Sequence, residues 1–237
     1  MTDTSRDGNF DKTPPVSVEE YDTKIRLFCG GYEEIFKLAY CCLKAVLPRN
    51  ARVLIVGAGT GMEIVEFASL SPDWSFCGID PSADMLSLAR RKISEKKLGN
   101  NIRLVQGYID SLNDNADFDG ATCILVMHFL KDDGAKLGLL KNIHHRLKHS
   151  APLVLVDGCG DSTSKAFEET MNAWKQYPIM HGVDPGQVEK AFSEVITKMV
   201  QFVPEPRILE LLNQAGFTNV FKYYSGFLYS GWTACKG

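Results

Sequence analysis

The sequence predicts an α/β protein built on a doubly wound, mostly parallel sheet of seven strands with an antiparallel C-terminal strand and helical additions. Two observations predict this fold. Between positions 50 and 158, short apolar runs alternate with helical patterns, as in right-handed β-α-β units. After a further helical stretch, two short strands close the chain with only a turn between them, and strands joined so closely pair antiparallel.

The chain opens with a polar segment, residues 1–15, that we predict to be a flexible tail. Residues 16–48 should form an N-terminal helical part, because apolar side chains recur there every three or four positions until Pro48 ends the pattern. No internal repeat or second core is visible. Residues 16–237 are therefore expected to form a single domain.

Five strands of the parallel part can be placed by composition. They are nearly continuous runs of Val, Ile and Leu, which is typical of strands buried on both faces. The predicted strands are 52–58, 75–80, 102–107, 120–129 and 152–158.

The C-terminal third departs from this alternation. Residues 161–204 are helical in pattern and are expected to be an insert that folds over the open end of the site as a lid. Another helix, 205–215, ends on Gly216, the residue type that most often follows a helix end. The closing hairpin is predicted to turn at Ser225-Gly226, with strands near 217–223 and 227–235.

Composition limits the classes of function. A formal net charge of −3 argues against broad binding to nucleic acid. Seven cysteines without a CxxC pair indicate free thiols in a reducing compartment, and we expect a cytoplasmic protein without a secretory signal or metal site. No apolar run approaches the ~18 residues of a membrane span. The amphipathic N-terminal helix leaves a homodimer as an open alternative.

The stretch VLIVGAGTGMEI leads from the first strand into a helix. Gly57, Gly59 and Gly61 would allow positive φ angles and a close approach of backbone N–H groups to a ligand. The dinucleotide fingerprint needs a glycine where this chain has Met62. Glu63 follows in the first helical turn, where a carboxylate is unfavourable beside a phosphate but acceptable beside a cationic ligand.

Asp80 ends the second strand. A carboxylate there can accept hydrogen bonds from both hydroxyls of a ribose. Because dinucleotide enzymes share that requirement, Asp80 indicates an adenosine ligand without identifying it.

The motifs VLIVGAGTGMEI, CGIDPSADMLSLARRK, LVQGYIDSL, ILVMHFLKDD and LVLVDG together resemble the class I S-adenosylmethionine-dependent methyltransferases over about residues 50–157. Both chain ends, YDTKIRLFCGGYEEIF and YYSGFLYSGWTACKG, are similar to a subgroup that contains the carboxy-S-adenosylmethionine synthases. The resemblance implies a Rossmann-like methyltransferase fold, S-adenosyl-L-methionine as cofactor and S-adenosyl-L-homocysteine as product.

Carried over position by position, the resemblance also implies a cofactor site. The glycine loop would pass the methionine moiety, the second-strand motif would hold the ribose and adenine, and the third-strand motif would meet the adenine edge. A residue past the fourth strand would face the methionine amino group. The implied residues are Gly57, Ala58, Gly59, Gly61, Asp80, Pro81, Met85, Gly107, Tyr108, Ile109 and Leu125.

Two departures from the family pattern bear on function. Tyr108 stands where the family usually has an acidic residue for the adenine amine, and Asp110 is the candidate replacement. Leu211 stands where carboxy-S-adenosylmethionine synthases place an arginine, with Arg207 one helical turn away. The second departure favours a user of the ordinary methyl donor.

Catalytic and substrate residues are predicted from position. His128 lies just beyond the fourth strand and is the candidate general base, ahead of Asp157. Tyr21, Tyr32, Trp174 and His181 are candidate substrate contacts, because aromatic residues of the helical parts suit a small, partly apolar acceptor. The leading hypothesis is methyl transfer to such a molecule. The alternatives are a carboxy-S-adenosylmethionine synthase-like or tRNA-modification enzyme, and a non-catalytic cofactor-binding module.

Overall fold

The computed structural model describes residues 17–99, 101–112 and 118–237, so the predicted tail at 1–15 lies outside the described residues. Its strands are β1 Arg52–Val56, β2 Ser75–Asp80, β3 Ile102–Gln106, β4 Gly120–Ile124, β5 Pro152–Gly158, β6 Phe217–Gly226 and β7 Tyr229–Lys236. They form one seven-stranded sheet in the order β3-β2-β1-β4-β5-β7-β6.

The pairing confirms the predicted fold class. Strands β1 to β5 pair in parallel, whereas β7 is antiparallel to both β5 and β6. From β1 the chain moves outward to β3, then returns to β4 on the other side of β1. The strand order therefore reverses between β1 and β4, and the carboxyl ends of these strands are where a doubly wound sheet binds its ligand.

Helices flank the sheet on both faces. They are α1 Val18–Phe28, α2 Tyr32–Lys44, α3 Met62–Leu70, α4 Ala83–Glu95, α5 Ala135–Arg146, α6 Lys165–Met180, α7 Pro185–Ala191, α8 Thr197–Met199 and α9 Glu205–Gln214. A π turn at Phe192–Ile196 joins α7 to α8, and two 3-10 turns lie at Ile109–Ser111 and Met127–Phe129.

Apolar side chains cover the sheet on each face, which explains the uninterrupted apolar runs of its strands. In β4 all five residues are buried, with alternate side chains directed into the two cores. Ile35 and Leu43 of α2 pack on one face, and Ile143 of α5 and Leu211 of α9 pack on the other. The central strands are thus held from both sides, and their carboxyl ends form a firm base for loops.

The N-terminal helical part is two helices where the sequence pattern shows one stretch. Gly30 and Gly31 separate α1 from α2, and Gly31 has a φ of 77°, a conformation that costs glycine little. This break lets α1 turn away from α2 and pack against α4 and α6. As a result, α1 lies beside the carboxyl ends of the central strands.

The closing hairpin turns two residues later than predicted. Ser225 and Gly226 still pair with Ser230 and Tyr229, so the loop consists of Phe227 and Leu228. Two-residue hairpin loops require positive φ angles, and Phe227 adopts a φ of 48°. The prediction at Ser225-Gly226 was wrong because the glycine remains part of the strand.

Candidate active site

A cleft of about 340 Å³ opens at the point where the strand order reverses. Its floor and sides come from segments 56–60, 79–82, 107–110 and 124–126, which follow β1, β2, β3 and β4. Side chains of α1 and α2 complete the wall on the remaining side. A volume of this size falls within the range of small-molecule and cofactor sites.

The glycine loop places two of its three glycines in the cleft. Gly57 has a φ of 76°, and a Cβ there would lie 2.2 Å from Cγ2 of Val126. Gly59 has a φ of 49° and open space around its missing side chain, so its backbone is accessible to a ligand. Gly61 does not line the cleft, because it packs α3 against α4, where a Cβ would lie 2.8 Å from Cβ of Ala89.

Asp80 joins the end of β2 to the glycine loop. Its Oδ2 accepts a hydrogen bond from the Gly59 N–H at 2.8 Å, and its Oδ1 accepts one from the Ser82 N–H at 2.9 Å. A carboxylate offers about four acceptor positions, so two backbone bonds are compatible with accepting ribose hydroxyls as well. Asp80 lines the cleft, as do Ala58, Pro81 and Met85.

The third-strand motif forms another wall. Gly107 adopts a φ of 146°, and a Cβ there would meet Oγ of Ser111 at 2.4 Å. Tyr108, Ile109 and Asp110 follow it along the cleft. Both the substituted Tyr108 and its candidate replacement Asp110 therefore reach the same wall.

Leu125 lies past the end of β4 in a left-handed conformation. Its φ is 58°, and its N–H donates to the carbonyl oxygen of Val156 at 2.8 Å. A residue other than glycine in this conformation is uncommon and is often found at functional sites. Leu125 lines the cleft, where the resemblance to the family implies a contact with the cofactor.

The four predicted substrate residues divide into two pairs. Tyr21 of α1 and Tyr32 of α2 line the cleft. Trp174 is buried in the core, where its Nε1–H donates to the carbonyl oxygen of Phe28 at 2.6 Å. His181 lies at the exposed end of α6, with Nδ1 2.8 Å from the carbonyl oxygen of Tyr177.

The helical insert does not form the wall of the cleft. All of residues 161–204 are described, and none of them lines it. Trp174 instead supports α1 from behind through the bond to Phe28. Among the described residues, that side of the cleft is lined by Tyr21 of α1 and by Tyr32 and Phe36 of α2.

His128 is buried behind the rim and is not among the residues that line the cleft. Its Nδ1 lies 3.1 Å from Oδ1 of Asp157, and the ring packs against Phe129. Lys136 is fully buried beside them, with Nζ 3.8 Å from Oδ2 of Asp157 and donating to the carbonyl oxygen of Met127 at 3.0 Å. This cluster of His128, Lys136 and Asp157 holds the rim together, which argues against His128 as the general base.

Sequence reasoning missed the contact that holds α1 over the glycine loop. Oγ1 of Thr60, in that loop, donates to Oδ1 of Asp22 at 2.6 Å. Lys92 of α4 forms an ion pair with the other carboxylate oxygen. Nothing in the local pattern around Asp22 signals this role, since its partners lie 38 and 70 positions away.

The sequence places Glu63 in the first turn of a helix but does not reveal that its side chain is buried. The side chain is 6% exposed and lines the cleft. Burial raises its pKa to about 7, and the hydroxyl of Thr122 partly opposes the shift. The two groups are nevertheless not within hydrogen-bonding geometry, since Oε1 of Glu63 and Oγ1 of Thr122 both lack a partner among the described residues.

The described residues offer neither a metal site nor a membrane-spanning helix. No cluster of three or more His, Cys, Asp or Glu side chains there is arranged to hold a metal ion. In the same residues, the helices are all too short or too polar to cross a bilayer.

Comparison with known proteins adds evidence of relationship. Residues 53–150 match a family described as a methyltransferase domain. A carboxy-S-adenosyl-L-methionine synthase of Campylobacter jejuni is 22% identical over 205 residues, which cover 84% of this chain and 83% of that protein.

Solved structures share the fold at low identity. A methyltransferase of Thermotoga maritima superimposes with a TM-score of 0.60 at 19% identity, covering 93% of this chain and 96% of its own. The 1,6-didemethyltoxoflavin-N1-methyltransferase of Burkholderia thailandensis, solved with S-adenosylhomocysteine and its acceptor bound, gives 0.56 at 21% identity, with coverage of 94% and 92%. These likenesses agree with the observed sheet order and place the chain in the same fold class.

Proposed function

We propose that the chain transfers a methyl group from S-adenosylmethionine to a small-molecule acceptor, a proposal supported by the match of residues 53–150 to a family described as a methyltransferase domain. The observation that carries the proposal is the cleft at the strand reversal, where Asp80 and the accessible backbone of Gly59 are joined.

The side chains of the cleft fit this cofactor. Three carboxylates line it, those of Glu63, Asp80 and Asp110. A sulfonium and an ammonium group are favoured near carboxylates, whereas the pyrophosphate of a dinucleotide is disfavoured. Met62 also lines the cleft at the position where the dinucleotide fingerprint has glycine, which supports the same choice.

The proposed chemistry needs little beyond alignment. When bound, the cofactor would supply a methyl group on a sulfonium, whose neutral thioether, S-adenosylhomocysteine, is a good leaving group. Asp80 would orient the ribose, and the glycine loop would fix the amino-acid end. Tyr21, Tyr32 and Phe36 would exclude water and position the acceptor. Positioning of this kind can lower a barrier by roughly 7–11 kcal/mol.

A small acceptor is supported by the composition of the cleft beside α1 and α2. Tyr21, Tyr32 and Phe36 give this side a flat, largely apolar surface. One neighbour of the same fold acts on a small heterocycle, 1,6-didemethyltoxoflavin. These features together favour an aromatic or heterocyclic acceptor of modest size. A cytoplasmic location and a homodimer stay predictions.

Synthesis of carboxy-S-adenosylmethionine is less well supported. Leu211, at the position of the synthases' arginine, is fully buried in the core beneath α9. Arg207 is bonded to Asp132 at 2.8 Å and to Glu210 at 2.7 Å, and it does not line the cleft. Neither residue is therefore placed to pair with an added carboxylate.

Parallel calorimetric titrations with S-adenosylhomocysteine, S-adenosylmethionine and NADH would test the proposal. We expect micromolar binding of the first two and none of NADH, followed by transfer of labelled methyl to a member of a heterocycle panel. Binding of NADH alone would contradict the cofactor assignment. Tight cofactor binding with an added carboxyl group, seen by mass spectrometry of the co-purified ligand, would favour the synthase instead.

A further inference from the structure

Glu63 places a largely buried carboxyl group in the wall of the cleft. It lies in the first turn of α3, directly after the glycine loop, and only 6% of the residue is exposed. Its Oε1 has no hydrogen-bond partner among the described residues. An unsatisfied buried polar group of this kind costs about 1–3 kcal/mol, more if it is charged. Because Glu63 lines the cleft, a ligand that brings a positive charge to its carboxylate would offset that cost.

Among the described residues, the groups around Glu63 supply no positive charge. Cys123 on β4 and Tyr223 on β6 are close enough for the charge of Glu63 to help raise their pKa values, although burial is the larger cause. Both are thus neutral near pH 7, as is Thr122 beside them. Across the cleft the titratable neighbours are Tyr21, Tyr32, Asp80 and Asp110, and in the described chain no lysine or arginine lines this cleft.

We propose that Glu63 is the ion-pair partner of an alkylammonium group that enters the cleft with a ligand. The proposal rests on the proposed function, because that function defines which ligands enter. An alkylammonium carries a full charge and three donors, so it can pair with the carboxylate of Glu63 in the cleft wall. Two sources share this chemistry: the amino-acid end of the cofactor, and an amine group of the acceptor.

This pairing links ligand binding to proton release. Burial raises the pKa of Glu63 to about 7 in the ligand-free protein, so near pH 7 roughly half of the molecules carry a proton there. An ammonium beside the carboxylate favours the ionised form and lowers the pKa. Binding should then release nearly one proton at pH 6, about half at pH 7 and almost none above pH 8. Affinity should rise with pH below 7 and level off above it.

The test is calorimetric titration of the full chain at pH 6, 7 and 8, each in two buffers of different ionisation enthalpy, which together give the number of protons released. S-adenosylhomocysteine carries the ammonium, whereas 5′-methylthioadenosine lacks the amino-acid end. n-Butylammonium, added to the 5′-methylthioadenosine complex, probes the acceptor side. Glu63→Gln removes the titrating group at nearly constant shape, and Glu66→Gln makes the same change on the same helix outside the cleft wall.

We expect proton release to occur in wild type and Glu66→Gln and to disappear in Glu63→Gln, with affinity for the ammonium ligand at least about tenfold weaker. Release with S-adenosylhomocysteine but not with 5′-methylthioadenosine assigns the ammonium to the cofactor. Release only on adding n-butylammonium assigns it to the acceptor.

Other outcomes overturn the role of Glu63. Binding of S-adenosylhomocysteine without proton release in any arm, or equal release in Glu63→Gln, contradicts the ion pair while leaving the proposed function intact. If neither adenosine ligand binds to the folded wild-type protein, the proposed function fails and the role of Glu63 fails with it. Thermal unfolding of both variants establishes that they are folded.

Discussion

The backbone N–H of Gly59 donates a hydrogen bond of 2.8 Å to Oδ2 of Asp80, which joins the loop after β1 to the end of β2. The same carboxylate accepts the N–H of Ser82 at the start of α4 through its other oxygen. One side chain therefore fixes two segments of the cleft wall. Its loss should affect both ligand affinity and the local backbone.

Asp80→Asn is expected to weaken S-adenosylhomocysteine binding by at least about tenfold, because hydrogen bonds to a charged group contribute about 1.5–3 kcal/mol. Asp119→Asn is the matched control. Asp119 also accepts a backbone N–H, from Arg52 at 2.7 Å, but at the opposite end of the sheet. Calorimetry should show normal affinity for the control, and equal losses in both variants would refute a direct role of Asp80.

Gly57→Ala should destabilise the protein more than Gly59→Ala. Both positions have positive φ, which costs a residue with a Cβ about 1–2 kcal/mol. Only at Gly57 does the new Cβ meet another side chain, 2.2 Å from Cγ2 of Val126, which adds about 1–3 kcal/mol of overpacking. Urea unfolding should show that Val126→Ala partly rescues Gly57→Ala and does nothing for Gly59→Ala. Rescue of neither would mean that the backbone angle dominates.

Asp22→Asn should accelerate dissociation of S-adenosylhomocysteine, by about three- to tenfold, because α1 loses its ion pair with Lys92 while the bond from Thr60 weakens. Stopped-flow displacement measures this rate. Glu20→Gln removes an exposed pair with Lys24 on the same helix and should leave the rate unchanged, since exposed pairs contribute about 0–1 kcal/mol. An unchanged rate in Asp22→Asn would show that α1 does not limit exit.

Asp157→Asn should lower the free energy of unfolding by about 3–5 kcal/mol, because Lys136 is left buried without its carboxylate. Burial already lowers the pKa of Lys136, an effect that Asp157 opposes. Adding Lys136→Met to Asp157→Asn should recover part of the lost free energy of unfolding, because the double variant has no buried, unpaired ammonium group. Denaturant unfolding of the two single variants and the double variant tests this, and simple additivity of the two losses would disprove coupling.

The buried Glu63 should make the ligand-free protein less stable as the pH rises. Its pKa is raised from 4.5 to about 7 on folding, so between these values the folded state binds more protons than the unfolded state. The contribution of protonated Glu63 to the free energy of unfolding is fully present below about pH 4.5. As the pH rises to 7, up to about 3 kcal/mol of it is lost. The difference in unfolding free energy between wild type and Glu63→Gln should follow this curve. The corresponding difference for Glu66→Gln should be flat.

The sheet could be predicted from the sequence because each of its strands carries its own signal. β2 and β5 were predicted to their end residues. The strands predicted at 52–58 and 120–129 begin where predicted but end earlier, at Val56 and Ile124, because the apolar residues after them belong to the loops of the cleft. The break at Gly31 was not predicted, because its two flanking helices share one periodicity. Similarly, Phe227 in the hairpin turn adopts a positive φ that its residue type does not suggest.

The residues of the candidate site likewise include some that could be predicted from the sequence and some that could not. The glycine loop and Asp80 follow strands, so their convergence at one edge follows from parallel pairing alone. The positions of Trp174 and His181 could not be predicted without knowing where α6 packs. The periodicity of aromatic residues is the same whether they contact the core or a substrate. Burial of His128 likewise depended on Asp157 and Lys136 from other elements.

The two sides of the cleft come from separate stretches of chain. The side that we propose holds the cofactor lies within residues 53–150, which carry the family match, whereas Tyr21, Tyr32 and Phe36 belong to the stretch 18–44 that precedes it. On the proposed function, exchange of the single contiguous stretch 18–44 should change which acceptor binds and leave the cofactor side intact. For the same reason, a chimera that carries the 18–44 stretch of a relative is the direct route to a new specificity on this scaffold.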